Sequence, residues 1–170
     1  GWHFYTRMVQ AKFIKDTITN YYLIKHNGNI SLDLLKSVYK KLLKSLEDHL
    51  TEDSIISSFN HKGDIIKYDD ASILLAFSHI SYDKEVLDVV PFNFVLNTCN
   101  RLLSYFRKKY NNNDLYLIGR YPEDKYYGGH IWILCSCCLG QIYLELYKYN
   151  NVINYSKPIH RSPSNPNNNY

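Results

Sequence analysis

The side chains best equipped for chemistry cluster between Leu115 and Trp132, where Arg120, Tyr121, Glu123, Asp124, Tyr126, Tyr127, His130 and Trp132 follow in close succession. A planar guanidinium and nearby carboxylates can hold hydroxyl groups in paired hydrogen bonds, and tyrosine or tryptophan rings can cover the apolar C–H faces of a sugar ring. The set therefore suits a polyhydroxylated ligand. A second account is purely structural: Arg120 and Asp124 would form an ion pair that pins a surface loop rich in tyrosine and charge. Glu123 and Asp124 do not make an acid–base pair by themselves. Adjacent side chains diverge, whereas inverting hydrolysis of a glycosidic bond holds two carboxyls roughly 6.5–9.5 Å apart across the sugar.

Helices must position this stretch. Gly119, Pro122, Gly128 and Gly129 mark it as a long connection rather than an element, and connections of that length inside a domain are usually functional. Before it, Pro91 precedes a predicted helix with Leu96, Cys99, Leu102, Leu103, Phe106 and Tyr110 on its inner face, ended by Asn111–Asp114. After it, a helix is expected from about His130 to Lys148. The first half of that helix, Ile131 to Leu139, is apolar on almost every side, a pattern that predicts burial all round.

Towards the N-terminus, Met8, Ala11, Ile14, Ile18, Tyr21 and Tyr22 recur at helical spacing on one face, up to Asn27-Gly28-Asn29. Ser31 can cap a second helix carrying Leu35, Val38, Leu42, Leu46 and Leu50. Asn60 to Asp69 is polar, contains Gly63 and reads as a loop, and Asp69 or Asp70 caps a third helix over Ala71–Ile80. The plain reading of Asp70 is that helix cap. Five helices and no convincing strand predict an all-α chain. The residues from Asn150 onward are rich in Asn, Pro and Ser and are expected to be disordered.

Composition removes several function classes. The formal charge is +4 over 170 residues, and the densest basic cluster, Arg107-Lys108-Lys109, sits at a helix end, where cations favour the macrodipole. No basic stripe with a nucleic-acid motif accompanies it, so nucleic acid is not an expected partner. No apolar run approaches the ~18 residues a membrane helix needs. Cys99, Cys135, Cys137 and Cys138 lack the loop-spaced pairs and histidine partners of a zinc site and read as buried, inert thiols. No metal and no cofactor is expected. No signal peptide is visible, while the sequons Asn29-Ile30-Ser31 and Asn154-Tyr155-Ser156 are compatible with secretion.

Residues Gly119-Arg120-Tyr121-Pro122-Glu123-Asp124, continuing through Tyr126, Tyr127, Gly129, Trp132 and Leu134, closely resemble the G-R-Y-P-E-D-x-Y-Y-x-G-N-P-W-F-L signature of glycoside hydrolase family 15, the fungal and yeast glucoamylases. The resemblance runs in order along the chain. Asp70-Ala71-Ser72-Ile73-Leu74-Leu75 with Ser78-His79 is similar to an upstream D-x-S/N-x-L-L…H segment. Leu96 through Asn111 is similar to the next family helix. Gly1 to Gln10 resembles the helix that follows the family's W-E-E motif.

This resemblance implies part of an (α/α) six-fold barrel over residues 1–149, with about five of its helices present. It implies a glucan 1,4-α-glucosidase that releases terminal 1,4-linked α-glucose from non-reducing ends with inversion, acting on an α-glucan or maltooligosaccharide. The general acid is expected just before Gly1 and the general base beyond Tyr170, so no catalytic residue is assigned here and the chain alone is expected to be inactive. Carried over residue by residue, Arg120 would hydrogen-bond sugar hydroxyls, Tyr121 adjoins it, Asp124 supports the wall, and Tyr126 and Trp132 line it. Trp132 is equally readable as a core indole opening a buried helix. The family's G-N-P-W is Gly129-His130-Ile131-Trp132 here and the preceding position is Gly128, which implies a looser turn. A secreted or vacuolar parent enzyme is implied ahead of a cytosolic one. Two other readings stay open: a non-catalytic carbohydrate-binding remnant, and a helical interaction module whose sugar-like loop is coincidental.

Overall fold

The structure, a computed structural model, describes residues 1–24, 30–80 and 83–156. Among these run seven helices: α1 (Phe4–Thr19), α2 (Tyr21–Ile24), α3 (Leu32–Glu47), α4 (Ala71–Ile80), α5 (Lys84–Val89), α6 (Phe92–Tyr110) and α7 (Ile133–Ser156). The chain is all-α, as its periodicity predicts, with one addition. A small antiparallel sheet joins β1 (Trp2–His3), β2 (Ser58–Phe59) and β3 (Ile65–Lys67) in that order. The polar stretch Asn60–Asp69 is therefore partly strand rather than wholly loop. Its turn is tied by Asn60, whose side-chain oxygen accepts from the amides of Lys62 and Asp64 at 2.8 and 2.9 Å.

Local chemistry sets the helix ends. The Ser31 hydroxyl accepts from the Leu34 amide and Asp70 Oδ1 accepts from the Ser72 amide at 2.8 Å, so both predicted caps form. Asn111 adopts a left-handed conformation (φ 49°) and its amide closes α6 onto the Arg107 and Lys108 carbonyls, beside three basic residues in the last turn.

Helix α4 is the hub. Ala71, Ile73, Leu74, Ala76, Phe77 and Ile80 are buried, because α4 packs against α1, α6 and α7 at once. Phe4, Met8, Leu46, Ile55, Val90, Val95, Cys99, Leu102, Phe106, Ile118, Leu139 and Ile142 extend the fully enclosed core. Burying side chains of this size contributes about 1.5–3 kcal/mol each, before chain entropy is counted.

Several expectations are corrected. The buried face of α1 is Phe4, Met8 and Ala11, while Ile14 and Ile18 are half-buried and Tyr22 is exposed; the helix breaks at Asn20 and the continuous stripe ends with it. The expected terminator Asn27–Asn29 lies outside the described residues. In α3, Tyr39 joins Leu35 and Leu46 in the core, and Leu50 lies past the helix in a bridge to Ile55. The short helix α5, started by Asp83 accepting from the Glu85 amide at 2.9 Å, was not anticipated. The apolar start of α7 is not buried all round: Cys135, Cys138 and Leu139 face the core, but Ile133 is 83% exposed and Leu134 57%. Cys137 is also exposed, unlike the other three thiols. Helix α7 ends at Ser156, and residues 157–170, most of the tail expected to be disordered, lie outside the described part.

Candidate functional site

The connection between α6 and α7 is fixed before its charged residues come into play. Gly119 lies so close to its neighbours that an added Cβ would sit 2.6 Å from the His130 carbonyl oxygen and 2.6 Å from the Phe106 ring. Next to it, the buried Ile118 accepts from the Trp132 amide at 3.0 Å and donates its own amide to the Ser136 hydroxyl at 3.1 Å. The two ends of the loop are thereby joined across the start of α7. The Arg120 carbonyl then accepts from the Ala71 amide at 2.6 Å, which fastens the loop to the first turn of α4.

Arg120 and Asp124 form a two-pronged pair, with Nε and Nη2 each 2.7 Å from a carboxylate oxygen. The Asp124 side chain is 1% exposed and that of Arg120 32%, so the acid is sealed and the base keeps an open edge. Hydrogen bonding to Arg120 holds the Asp124 carboxyl down at about 2, against the opposing effect of burial, with help from the Tyr126 amide at 3.0 Å. The same pairing raises the Arg120 pKa. The guanidinium carbon lies 5.3, 4.9 and 5.0 Å from the ring centres of Tyr121, Tyr126 and Trp132.

The turn after Asp124 departs from the looseness inferred from Gly128 and His130. Tyr127, Gly128 and Gly129 all take positive φ (48°, 69° and 63°), and Lys109 Nζ donates to the Gly128 and Gly129 carbonyls at 3.0 and 2.5 Å. A Cβ on Gly129 would stand 2.1 Å from the Asp124 carbonyl oxygen. His130 Nδ1 bonds the Tyr110 hydroxyl at 3.2 Å. Glu123, also at positive φ (62°), hangs its amide on the Tyr105 hydroxyl at 2.9 Å. The turn is clamped from α6.

These contacts frame a cleft of about 360 Å³ between the loop, the start of α4, the hairpin β2–β3 and the start of α7. Of the five residues expected as substrate contacts, Arg120, Tyr121 and Trp132 line it. Asp124 stands behind Arg120 and does not face the cleft. Tyr126, 53% exposed, stacks beside Trp132 with ring centres 6.0 Å apart, outside the lining. Trp132 is half-buried and packs against the core as well as lining the cleft. Asp70 likewise does two things: Oδ1 caps α4 while Oδ2 lies 3.2 Å from Lys67 Nζ in the lining. Lys67, Ser57 and Ser58 line the cleft and were missed because their hairpin reads as a loop. The overlooked signal is the Gly63-Asp64 turn, directly before the apolar pair Ile65-Ile66 of β3.

Cys135 and Cys138 also face the cleft, and burial pushes both thiols up, Cys135 to about 11, so they stand there as neutral, weakly reactive groups. Among the described residues no cluster of His, Cys, Asp and Glu is arranged to hold a metal ion, and no helix is long and apolar enough to cross a membrane.

An all-α chain thus places a guanidinium, two aromatic rings and the Lys67–Asp70 ion pair around one cleft, where its signature segment meets the hub helix. The family profile of glycosyl hydrolases family 15 matches residues 1–160, and the chain belongs to that family. Membership brings with it a carbohydrate substrate class and glycoside hydrolase chemistry for the family. No curated protein and no solved structure matches the chain.

Proposed function

We propose that this chain supplies part of the substrate-site wall of a glucoamylase, an enzyme releasing terminal 1,4-linked α-glucose from the non-reducing ends of starch- or glycogen-type chains with inversion. One observation carries the reading: Arg120 is held rigid by a sealed Asp124 while its remaining edge lines a cleft with Tyr121 and Trp132. Two of the five guanidinium N–H groups go to Asp124, which leaves Nη1 and the second Nη2 hydrogen for ligand hydroxyls. Because the pair is already formed, little ordering cost attends binding. The two rings offer apolar faces to the C–H side of a pyranose.

The same geometry limits what the wall does. Inverting hydrolysis needs an acid to protonate the leaving oxygen and a base to activate water, on opposite sides of the sugar. Asp70 is the one carboxylate among the described lining residues, and it is engaged by Lys67 and the α4 cap. Asp124 is sealed, and Glu123 is exposed outside the lining. Arg120, Tyr121 and Trp132 therefore bind and orient the sugar, with Asp124 and Tyr126 bracing them, and the catalytic glutamates belong to other segments of the barrel. This shortage of carboxylates also favours a second reading, a carbohydrate-binding protein without hydrolysis.

Titration with maltotriose tests the wall. In a Trp2→Phe background, which leaves Trp132 as the only indole, maltotriose is expected to change the fluorescence saturably, and Arg120→Ala to weaken binding by about tenfold or more. No response at millimolar sugar, or an unchanged titration in the Arg120 variant, refutes the wall. Glucose release from maltotriose by the 170-residue chain would instead show that this chain carries its own acid and base.

A further inference from the structure

A second cation shares the cleft with Arg120. Lys67 sits on β3, where its carbonyl accepts from the Ser57 amide at 2.9 Å and it pairs in register with Ser58. The backbone is thus fixed before the side chain is considered. Its Nζ lies 3.2 Å from Asp70 Oδ2 and 3.3 Å from the centre of the Tyr121 ring, and its side chain remains 31% exposed.

An ammonium group has three N–H donors. One can serve the ion pair with Asp70 and one can face the Tyr121 ring, a favourable cation–π placement. The third has no partner among the described residues, although Lys67 lines the cleft. A simple tether for the hairpin would not require this arrangement, since the Ser57–Lys67 backbone bond already holds the strand. Asp70 meanwhile keeps its other oxygen on the Ser72 amide, so the acid that orients Lys67 is itself held by the first turn of α4. Charges in the cleft are balanced in pairs, Arg120 with Asp124 and Lys67 with Asp70. Neither cation is left to demand an anion. Both retain free N–H donors, which match the oxygen atoms of an uncharged, hydroxyl-rich chain.

We infer that Lys67 is a second sugar-binding residue, donating a hydrogen bond to a ligand hydroxyl from the hairpin side of the cleft while Arg120 donates from the loop side. The assignment rests on the reading of the cleft as a sugar site and extends it to a residue outside the signature segment.

The test uses the whole 170-residue chain in the Trp2→Phe background, with maltotriose and the monodeoxy maltoses as probes and Trp132 fluorescence as the readout. Lys67→Met is expected to weaken maltotriose about tenfold at an unchanged far-ultraviolet circular dichroism spectrum, with Lys67→Arg close to the parent. Lys67→Gln, which keeps a donor without the charge, should fall between them and serves if the methionine variant loses helicity. A packing role alone would weaken every analogue equally. A direct bond instead singles out one deoxy sugar, bound equally by the parent and by Lys67→Met. Arg120-sensitive binding that Lys67→Met leaves within twofold of the parent, or a uniform loss across all analogues, overturns the role of Lys67 alone. Absence of sugar binding in the parent takes down the sugar reading of the cleft and this assignment with it.

Discussion

Asp124 braces a residue of the cleft without facing the cleft itself. It is sealed behind Arg120, receives both of that residue's bonds, and takes a third from the Tyr126 amide. Its carboxyl is held at about 2 rather than the ordinary 3.8, so its stabilising contribution is fully present above pH 3.8 and is lost as pH falls towards 2. The difference is worth about 2 kcal/mol as an upper figure, since a third of Arg120 is open to solvent screening. Asp124→Asn should therefore lower the midpoint of urea unfolding at pH 7 and flatten the fall in stability between pH 4 and pH 2. An acid limb as steep as the parent's would show that other carboxylates control it. The residues themselves were legible in advance: Arg120 with Asp124 suggested either a ligand site or a pinning ion pair, and the pair does pin the loop. Lys67 was not legible, because nothing in a linear sequence places it over Tyr121.

Elements differ in how openly they declare themselves. The caps at Ser31 and Asp70 and the Asn111 terminator act through neighbours a few residues away, so α3, α4 and the end of α6 follow from sequence. The sheet does not, because β1 and β2 pair Trp2 with Phe59 and His3 with Ser58 across most of the first sixty residues, and each strand is too short to show alternation. The turn at Tyr126–Gly129 was misjudged for a similar reason. Its glycines suggest looseness, yet Lys109 reaches over from α6 to hold two of its carbonyls. Gly129→Ala must force a side chain into positive φ and onto the Asp124 carbonyl. A loss of about 2–4 kcal/mol in unfolding free energy is expected, together with weaker maltotriose binding. Parent-like values for both would mean that the turn yields easily.

At the scale of the molecule, the apolar surface is larger than the core can cover. Phe13, Tyr22, Leu23, Ile133 and Leu134 are all more than half exposed, and Val9, Phe13, Ile14, Val38 and Leu42 line an open apolar groove between α1 and α3. The all-round apolar start of α7 was read as a buried helix. Within the described residues the sides towards α4 and the Ile118 loop are covered while Ile133, Leu134 and Cys137 stay exposed, which is why that expectation failed although the sequence pattern is real. Surfaces of this kind drive association at roughly 25 cal/mol per Å² buried. Sedimentation velocity of the 170-residue chain should show mass rising with concentration through the micromolar range; a single monomeric species throughout would contradict this.

The hydrogen bond from the Ala71 amide to the Arg120 carbonyl has a consequence for dynamics. A helix leaves its first amides without internal partners, and here one of them is satisfied by the very residue whose side chain lines the cleft. Opening of the loop and fraying of the hub helix are therefore one event rather than two. Solvent deuterium should reach the Ala71 amide only when the Arg120 loop lifts away, which makes that single proton a clock for how often the cleft comes apart.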